Sequence, residues 1–165
     1  MWWPVAVGSL AWLLLLHNHP IDQQAWAIEL GPLLWTACLA GLFVMLLRNG
    51  VGDRAHRAAW AVAALGAGLN LLVVSANGGY MPQSAEARVL TRGATIDATG
   101  QAQLRNVRPI DDATVLGGLG DVLAEPAWFP KANVVSIGDV LLGLGIAGWA
   151  FSVTRKRPIT TREEA

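Results

Sequence analysis

The sequence predicts an all-α integral membrane protein with about four transmembrane helices and a long extracytoplasmic loop between helices three and four. Composition is the first reason, because 53% of the 165 residues are hydrophobic and only 15% are charged. A soluble domain of this length would leave much of that apolar surface in water, whereas a lipid bilayer accepts it. The second reason is that long apolar segments recur, and the last one stops at the basic run Arg155-Lys156-Arg157, as a helix stops at a membrane surface.

Four apolar segments account for the predicted helices. They cover residues 2–16, 25–47, 58–75 and 133–153. The first is short, about 22 Å at 1.5 Å per residue, so it needs a thinner bilayer or support from its neighbours. A secretory signal peptide is the alternative for this segment, but it lacks a basic start and a small-residue cleavage site. We therefore expect it to remain as a true span.

The short basic segments predict the orientation. Arginines crowd the loop between the second and third spans, and four basic residues lie in the tail, residues 154–165, whereas residues 17–24 contain no Lys or Arg. Basic loops stay on the cytoplasmic side. Both termini are therefore expected in the cytoplasm, with residues 76–132 on the outer side.

Small residues at helical spacing predict how two of the spans pack. Ala63 and Ala67 lie four residues apart in the third span, as do Gly143 and Ala147 in the fourth. Small side chains allow membrane helices to approach closely. These faces are expected to pack against each other or the other spans, although part of this surface is also suited to a helix from another protein.

The outer segment, residues 76–132, has the features of a folded cap with short helices. Ser84 is placed to cap one short helix, and Asp112 a second one that ends before the glycine pair at 117–118. Trp128 lies between prolines and is expected at headgroup depth, where aromatic rings concentrate.

Two polar motifs flank this outer segment. The sequence NGGYMP, residues 77–82, follows the third span, and NVVSIGDV, residues 133–140, opens the fourth, with Leu119-Gly120-Asp121 between them. Together they resemble the paired signature of a family of small bacterial polytopic membrane proteins that is classed as a domain of unknown function. The resemblance implies a multi-pass protein of the bacterial cytoplasmic (inner) membrane with about four helices, and it implies no reaction.

The motifs and the third span supply a candidate polar site. Its members are Asn70, Asn77, Tyr80, Asn133, Ser136 and Asp139. Asn70 is expected to form a hydrogen bond between helices. Asn77 is followed by two glycines, which can adopt the left-handed backbone that ends a helix. Tyr80 places a hydroxyl and a ring at the membrane–water interface.

Asp139 has three interpretations. With Ser136 it fits an S-x-x-D capping box, in which each side chain bonds to the other residue's backbone amide at the positive end of the helix. A carboxylate within a membrane segment is also typical of ion or proton handling. The third interpretation is a polar tie to Asn70, Asn77 or Tyr80.

Other chemistry is weakly indicated. His17, His19 and Asp22 include groups that bind metal or haem, but a short outer loop with two histidines is more often only a loop. No nucleophile paired with a base, phosphate-binding loop or carboxylate dyad is evident in the sequence. We therefore expect no enzymatic activity, no cofactor and no metal, and the net charge of zero gives no reason to expect a nucleic-acid partner.

These observations favour a non-catalytic accessory, assembly or scaffold subunit of a larger membrane complex. Its expected partners are membrane lipids and other integral membrane subunits. The alternative is a small transporter, or a lipid- or cofactor-handling protein, with its polar site around Asp139.

Overall fold

The structure is a computed structural model that describes residues 25–49, 54–92, 107–130 and 132–155. This part contains four α-helices: α1 (Ala25–Asn49), α2 (Arg54–Ala76), α3 (Ala85–Arg92) and α4 (Ile137–Thr154). By length and composition, α1, α2 and α4 are able to cross a membrane, and they correspond to the predicted second, third and fourth spans. The predicted first span, residues 2–16, lies outside the described residues.

The prediction of an all-α protein is wrong for the cap, which contains a small mixed sheet. Its strands are β1 (Met81–Gln83), β2 (Val107–Pro109), β3 (Asp121–Ala124) and β4 (Val134–Ser136). Their order is β2-β1-β3-β4; β1 is parallel to both neighbours, and β3 is antiparallel to β4. Each strand has only three or four residues, too few to display an alternating pattern in the sequence.

The structure differs from two further predictions, the start of the fourth span and the second cap helix. The apolar pattern starts the fourth span at residue 133, but β4 occupies this stretch and the helix begins at Ile137. The second cap helix, expected after Asp112, is replaced by turns and a 3-10 helix at Gly117–Leu119, because Asp111 instead accepts hydrogen bonds from the Ala113 amide and the Thr114 hydroxyl. Asx turns of this kind compete with helix formation.

Ser84 caps α3 as its sequence position predicts. Its hydroxyl accepts a hydrogen bond from the Ala87 amide at 3.1 Å, which satisfies a donor that the helix leaves free. Its own amide donates to the Asp121 carbonyl at 2.9 Å. One residue therefore begins the helix and joins it to β3.

The apolar core lies between α1 and α2 and continues to the first strand. Leu39 packs with Val73, Val74 and Met81 near the cap. Nearer the other end, Leu46 packs with a set of buried alanines on α2: Ala63, Ala64 and Ala67. These alanines let the two helices approach closely, as small residues do in membrane bundles.

The α2 and α4 helices run antiparallel with their backbones in contact at two glycines of α4. A Cβ atom on Gly138 would overlap the Asn70 side chain, and one on Gly145 would lie 2.6 Å from the Ala63 Cβ atom. Both positions are buried. Only glycine allows this approach, since a methyl group at either position would force the helices apart.

Among the described residues, the predicted small-residue face of α2 packs against other helices and that of α4 does not. Ala63 and Ala67 are buried, but Gly143 and Ala147 are exposed, and a Cβ atom on Gly143 would meet nothing within 4 Å. The α4 helix turns Gly138 and Gly145 toward α2 because the Asn70 contact fixes its rotation. The face that carries Gly143 and Ala147 therefore points away from α2.

Two glycines end α2 and bring the chain back to α1. Gly78 and Gly79 have φ angles of +66° and +89°, values that favour glycine. The Gly79 amide donates to the Val74 carbonyl at 2.9 Å, as at many helix C-termini. A Cβ atom on Gly79 would collide with Pro32 of α1, so this turn also requires glycine for space.

We predict opposite outcomes for the same substitution at two α4 glycines. Gly145→Ala places a methyl group against α2 and should lower the free energy of unfolding by on the order of 1 to 3 kcal/mol. Gly143→Ala is the matched control. It should leave the free energy of unfolding unchanged or slightly raised, because alanine has a higher helix propensity than glycine. Thermal unfolding of both variants in a mild detergent measures the difference, and equal effects at the two positions would contradict this packing.

Candidate functional site

A closed hydrogen-bond network joins α2 to the start of α4. The Asn70 side-chain amide donates to Asp139 Oδ1 at 2.7 Å, and the Ser136 hydroxyl donates to Asn70 Oδ1 at 2.8 Å. Ser136 and Asp139 form the predicted capping box, in which the Ser136 amide donates to Asp139 Oδ2 at 3.0 Å and the Asp139 amide donates to Ser136 Oγ at 2.9 Å. Two of the three interpretations of Asp139, the cap and the tie to Asn70, therefore hold at once.

The sheet positions this network. Ser136 is the last residue of β4, with the extended backbone that an N-cap requires, and it is fully buried. It pairs with Asp121 of the antiparallel strand β3. The N-cap of α4, the hydrogen bonds to α2 and the pairing of β4 with β3 therefore all lie at this strand-to-helix junction.

Asp121 is a member of this site that sequence reasoning did not identify as a site residue. Its side chain is only 9% exposed, and the Gln83 side-chain amide donates to Asp121 Oδ2 at a long 3.5 Å. Burial, with a smaller contribution from the charge of Asp139, raises the pKa of Asp121 from 3.8 to about 7, against the opposing effect of the Gln83 hydrogen bond. The nearest signal in the sequence is the Leu119-Gly120-Asp121 element.

Glycine precedes Asp121 in that element because position 120 has no room for a side chain. A Cβ atom there would overlap the Pro82 carbonyl oxygen of β1. The chain therefore passes against β1 immediately before Asp121, and this close approach places the carboxyl group beside Gln83. A larger residue at position 120 would separate the strands.

Asn77 and Tyr80 do not join the network, so the predicted polar site divides into two. Asn77 donates to the Val73 and Val115 carbonyls, both at 2.8 Å, and accepts from the Val115 amide at 3.0 Å. It thus ties the end of α2 to the loop before the 3-10 helix. Asn133 is exposed, and its amide donates to Glu125 Oε2 at 2.8 Å, outside both groups.

The second polar region is a surface pocket of about 220 Å³ at the end of α2. The Arg108 guanidinium lies over the Tyr80 ring, 3.5 Å from its centroid. The pocket combines the end of α2, strands β1 and β2 and the turn after β2, and its lining comprises Ala76, Asn77, Tyr80, Pro82, Arg108, Pro109, Asp111, Ala113 and Thr114.

The described residues contain no group of three His, Cys, Asp or Glu side chains able to hold a metal ion. His17, His19 and Asp22 lie outside the described residues. The network around Asn70 offers little chemistry, because Asn70, Ser136 and Asp139 form hydrogen bonds with one another. Within this site, the network does not use the Asp121 carboxyl group, whose pKa burial raises to about 7.

The fold and these two sites define a small, mostly helical protein with three helices apolar enough to cross a membrane and a cap that polar side chains join to them. The chain belongs to a family of unknown function, DUF5317, whose model matches residues 1–151. This confirms the resemblance seen in the two motifs, and the match also includes the first apolar segment. No curated protein and no solved structure matches the chain.

We predict that positions 70 and 139 can exchange side chains. Asp139→Asn replaces one of two carboxylate acceptors by a donor, so either the Asn70 amide or the Ser136 amide loses its partner, at about 1 to 3 kcal/mol. Asn70→Asp alone places two carboxylates together. In the double variant, the carboxamide now at position 139 donates to the carboxylate now at position 70, which still accepts from the Ser136 hydroxyl, and every bond is restored.

The double variant should therefore unfold at a higher temperature than either single variant in detergent, with a coupling free energy of about 1 kcal/mol or more. Combining Asn70→Asp with Asp111→Asn, in the exposed turn, is the control and should give additive effects. An additive result for the Asn70 and Asp139 pair would disprove the network.

We also predict that Asp121 makes stability depend on pH. Because its folded pKa is raised, the neutral carboxyl group stabilises the fold fully below about pH 4, and this contribution is lost as the pH rises toward 7. The loss is on the order of 4 kcal/mol over that window. Asp121→Asn keeps the neutral shape and should remove this part of the pH dependence.

Thermal unfolding of the two proteins between about pH 3.5 and 8 measures the effect, since this range spans the shift. The variant should match the wild type at the acid end and exceed it at the alkaline end. Asp111→Asn is the control, since that carboxylate is exposed, and it should leave the pH profile unchanged. Parallel profiles for wild type and Asp121→Asn would show that Asp121 is ionised throughout.

Proposed function

We propose that this protein is a non-catalytic accessory or scaffold subunit of a larger membrane complex, located in the bacterial inner membrane. The observation that carries the proposal is the exposed small-residue face of α4. Gly143 and Ala147 lie four residues apart on this face, and among the described residues none approaches a Cβ atom placed on Gly143. Such spacing suits close approach by another transmembrane helix.

The hydrogen bonds of the candidate site residues support a structural function. Asn70, Asn77, Ser136 and Asp139 all bond within the chain, and each of them joins one element to another. An active site instead keeps polar groups available for a substrate. The motifs therefore serve to hold a rigid cap on the outer ends of the helices.

The location and orientation rest on charge and aromatic placement. Arg48 and Arg54 lie at the two ends that join α1 and α2, where basic residues mark the cytoplasmic side. At the other end, Trp128 is 81% exposed and lies beside Phe129, as suits rings at the outer headgroups. Both termini are thus proposed to be cytoplasmic.

A small transporter or a lipid- or cofactor-handling protein is the second candidate. Asp121 favours it, because a buried carboxyl group with a pKa of about 7 beside Asp139 can bind and release a proton at neutral pH. Under this alternative, Asp121→Asn abolishes the activity of the protein in cells while abundance and assembly are preserved. A subunit with a purely structural function would retain activity in that variant.

We predict that a photo-crosslinking residue at Ala147 captures a membrane protein in cells, and that the same protein co-purifies in a fixed ratio in mild detergent. Gly143→Leu, which fills the gap on this face, should prevent both, since a partner helix could no longer approach. The same variant should retain the stability of the isolated protein because α2 does not contact this position.

Three outcomes would contradict the proposal. The first is a crosslink only to lipid, and the second is a crosslink to residues 2–16 of the same chain, which would mean that the face is used internally. The third is capture that Gly143→Leu leaves unchanged. A crosslinking residue at Leu65, which is exposed on α2, controls for random collision with abundant membrane proteins.

A further inference from the structure

We propose that the pocket around Tyr80 and Arg108 binds a phosphate–ammonium zwitterion, the group carried by the headgroup of phosphatidylethanolamine and by free phosphoethanolamine. Arg108 binds the phosphate, and Asp111 receives the ammonium group. The inference rests on the proposed membrane location but not on the proposed partner subunit.

The first observation is the placement of Arg108. Its guanidinium is stacked on the Tyr80 ring at 3.5 Å, which orients the plane while its N–H donors remain at the edge. Within the described part of the chain, no carboxylate forms an ion pair with it. An oriented guanidinium with free edge donors suits the two oxygens of a phosphate.

The second observation is the charge at the other side of the pocket. Asp111 lines it, and only Asp111 Oδ1 accepts hydrogen bonds from the adjacent turn, at 3.1 Å from the Ala113 amide and 2.9 Å from the Thr114 hydroxyl. A simple anion would be repelled by this carboxylate. A ligand with both charges is complementary to both side chains.

The third observation is depth. The α2 helix has 23 residues, about 35 Å at 1.5 Å per residue, whereas the hydrocarbon core is about 30 Å thick. With Arg54 at one end, the other end at Ala76 reaches the outer headgroups. Ala76 lines the pocket, so the pocket opens at the level of lipid phosphates.

Size is consistent with a headgroup. The volume of about 220 Å³ is below that of pockets for drug-sized ligands, roughly 300 to 1,000 Å³. Acyl chains would therefore remain in the bilayer. The rigid prolines at 82 and 109 border the pocket and limit its adjustment to larger groups.

The test is binding to the purified full-length protein in a neutral detergent, measured by native mass spectrometry. The probes are a short-chain phosphatidylethanolamine, the matching phosphatidylglycerol, which lacks the amine, and free phosphoethanolamine. Phosphatidylethanolamine should bind several-fold more tightly than phosphatidylglycerol. Free phosphoethanolamine binding equally well would identify a soluble ligand, and much weaker binding would identify the lipid.

Three variants complete the test. Arg108→Gln should weaken the binding of both lipids at least tenfold, because a charged hydrogen bond to the phosphate is lost. Asp111→Asn should abolish only the preference for the amine. Arg88→Gln, an arginine of the cap outside the pocket, should change nothing. Unchanged lipid binding in Arg108→Gln, or equal binding of both lipids to the wild type, would overturn the proposal, and the crosslinking experiment at Ala147 is unaffected by either result.

Discussion

The structure depends on the hydrogen bonds that the Asn70 carboxamide makes at the start of α4. Asn70 is 4% exposed, and an unpaired amide so deeply buried would cost about 1 to 3 kcal/mol. Its donor meets Asp139 and its acceptor meets Ser136. This requirement fixes the rotation of α4 about its axis and the point at which β4 becomes a helix, so one side chain sets how α4 joins α2.

Glycines allow the close approaches that this junction requires. Gly138 lies directly against Asn70, Gly120 against the Pro82 carbonyl, and Gly79 against Pro32. Each joins the cap or α4 to a different element, and each belongs to a sequence motif. The motifs therefore encode spacing as much as polarity. The polar residues satisfy one another only because the glycines let the backbones meet.

Sequence patterns predict the elements that neighbouring residues determine. They miss the elements that depend on pairing between distant parts of the chain. Three apolar helices and the Ser136–Asp139 cap follow from residues close together in the chain. Asp121 escapes prediction as a site residue because its environment comes from strands far away in sequence. The four-residue spacing favours Gly143, although Gly145 makes the contact, because α4 has small residues on several sides and its apolar pattern does not determine which side faces α2.

The buried polar side chains of the described residues lie at the cap end of the molecule: Asn70, Gln83, Thr91, Asp121 and Ser136. The helices below the cap display large apolar side chains, such as Leu144 and Leu33, at 61% and 66% exposure, which suits contact with lipid or with other helices. The cap end holds the buried acid Asp121 and the Arg108 pocket. Under the proposed assembly and headgroup-binding functions, variants that affect assembly should map to the exposed face of α4, and variants that affect the response to pH or headgroup should map to the cap. Two contacts connect these regions: the junction at Asn70 and the hydrogen bonds between Asn77 and the backbone of Val115.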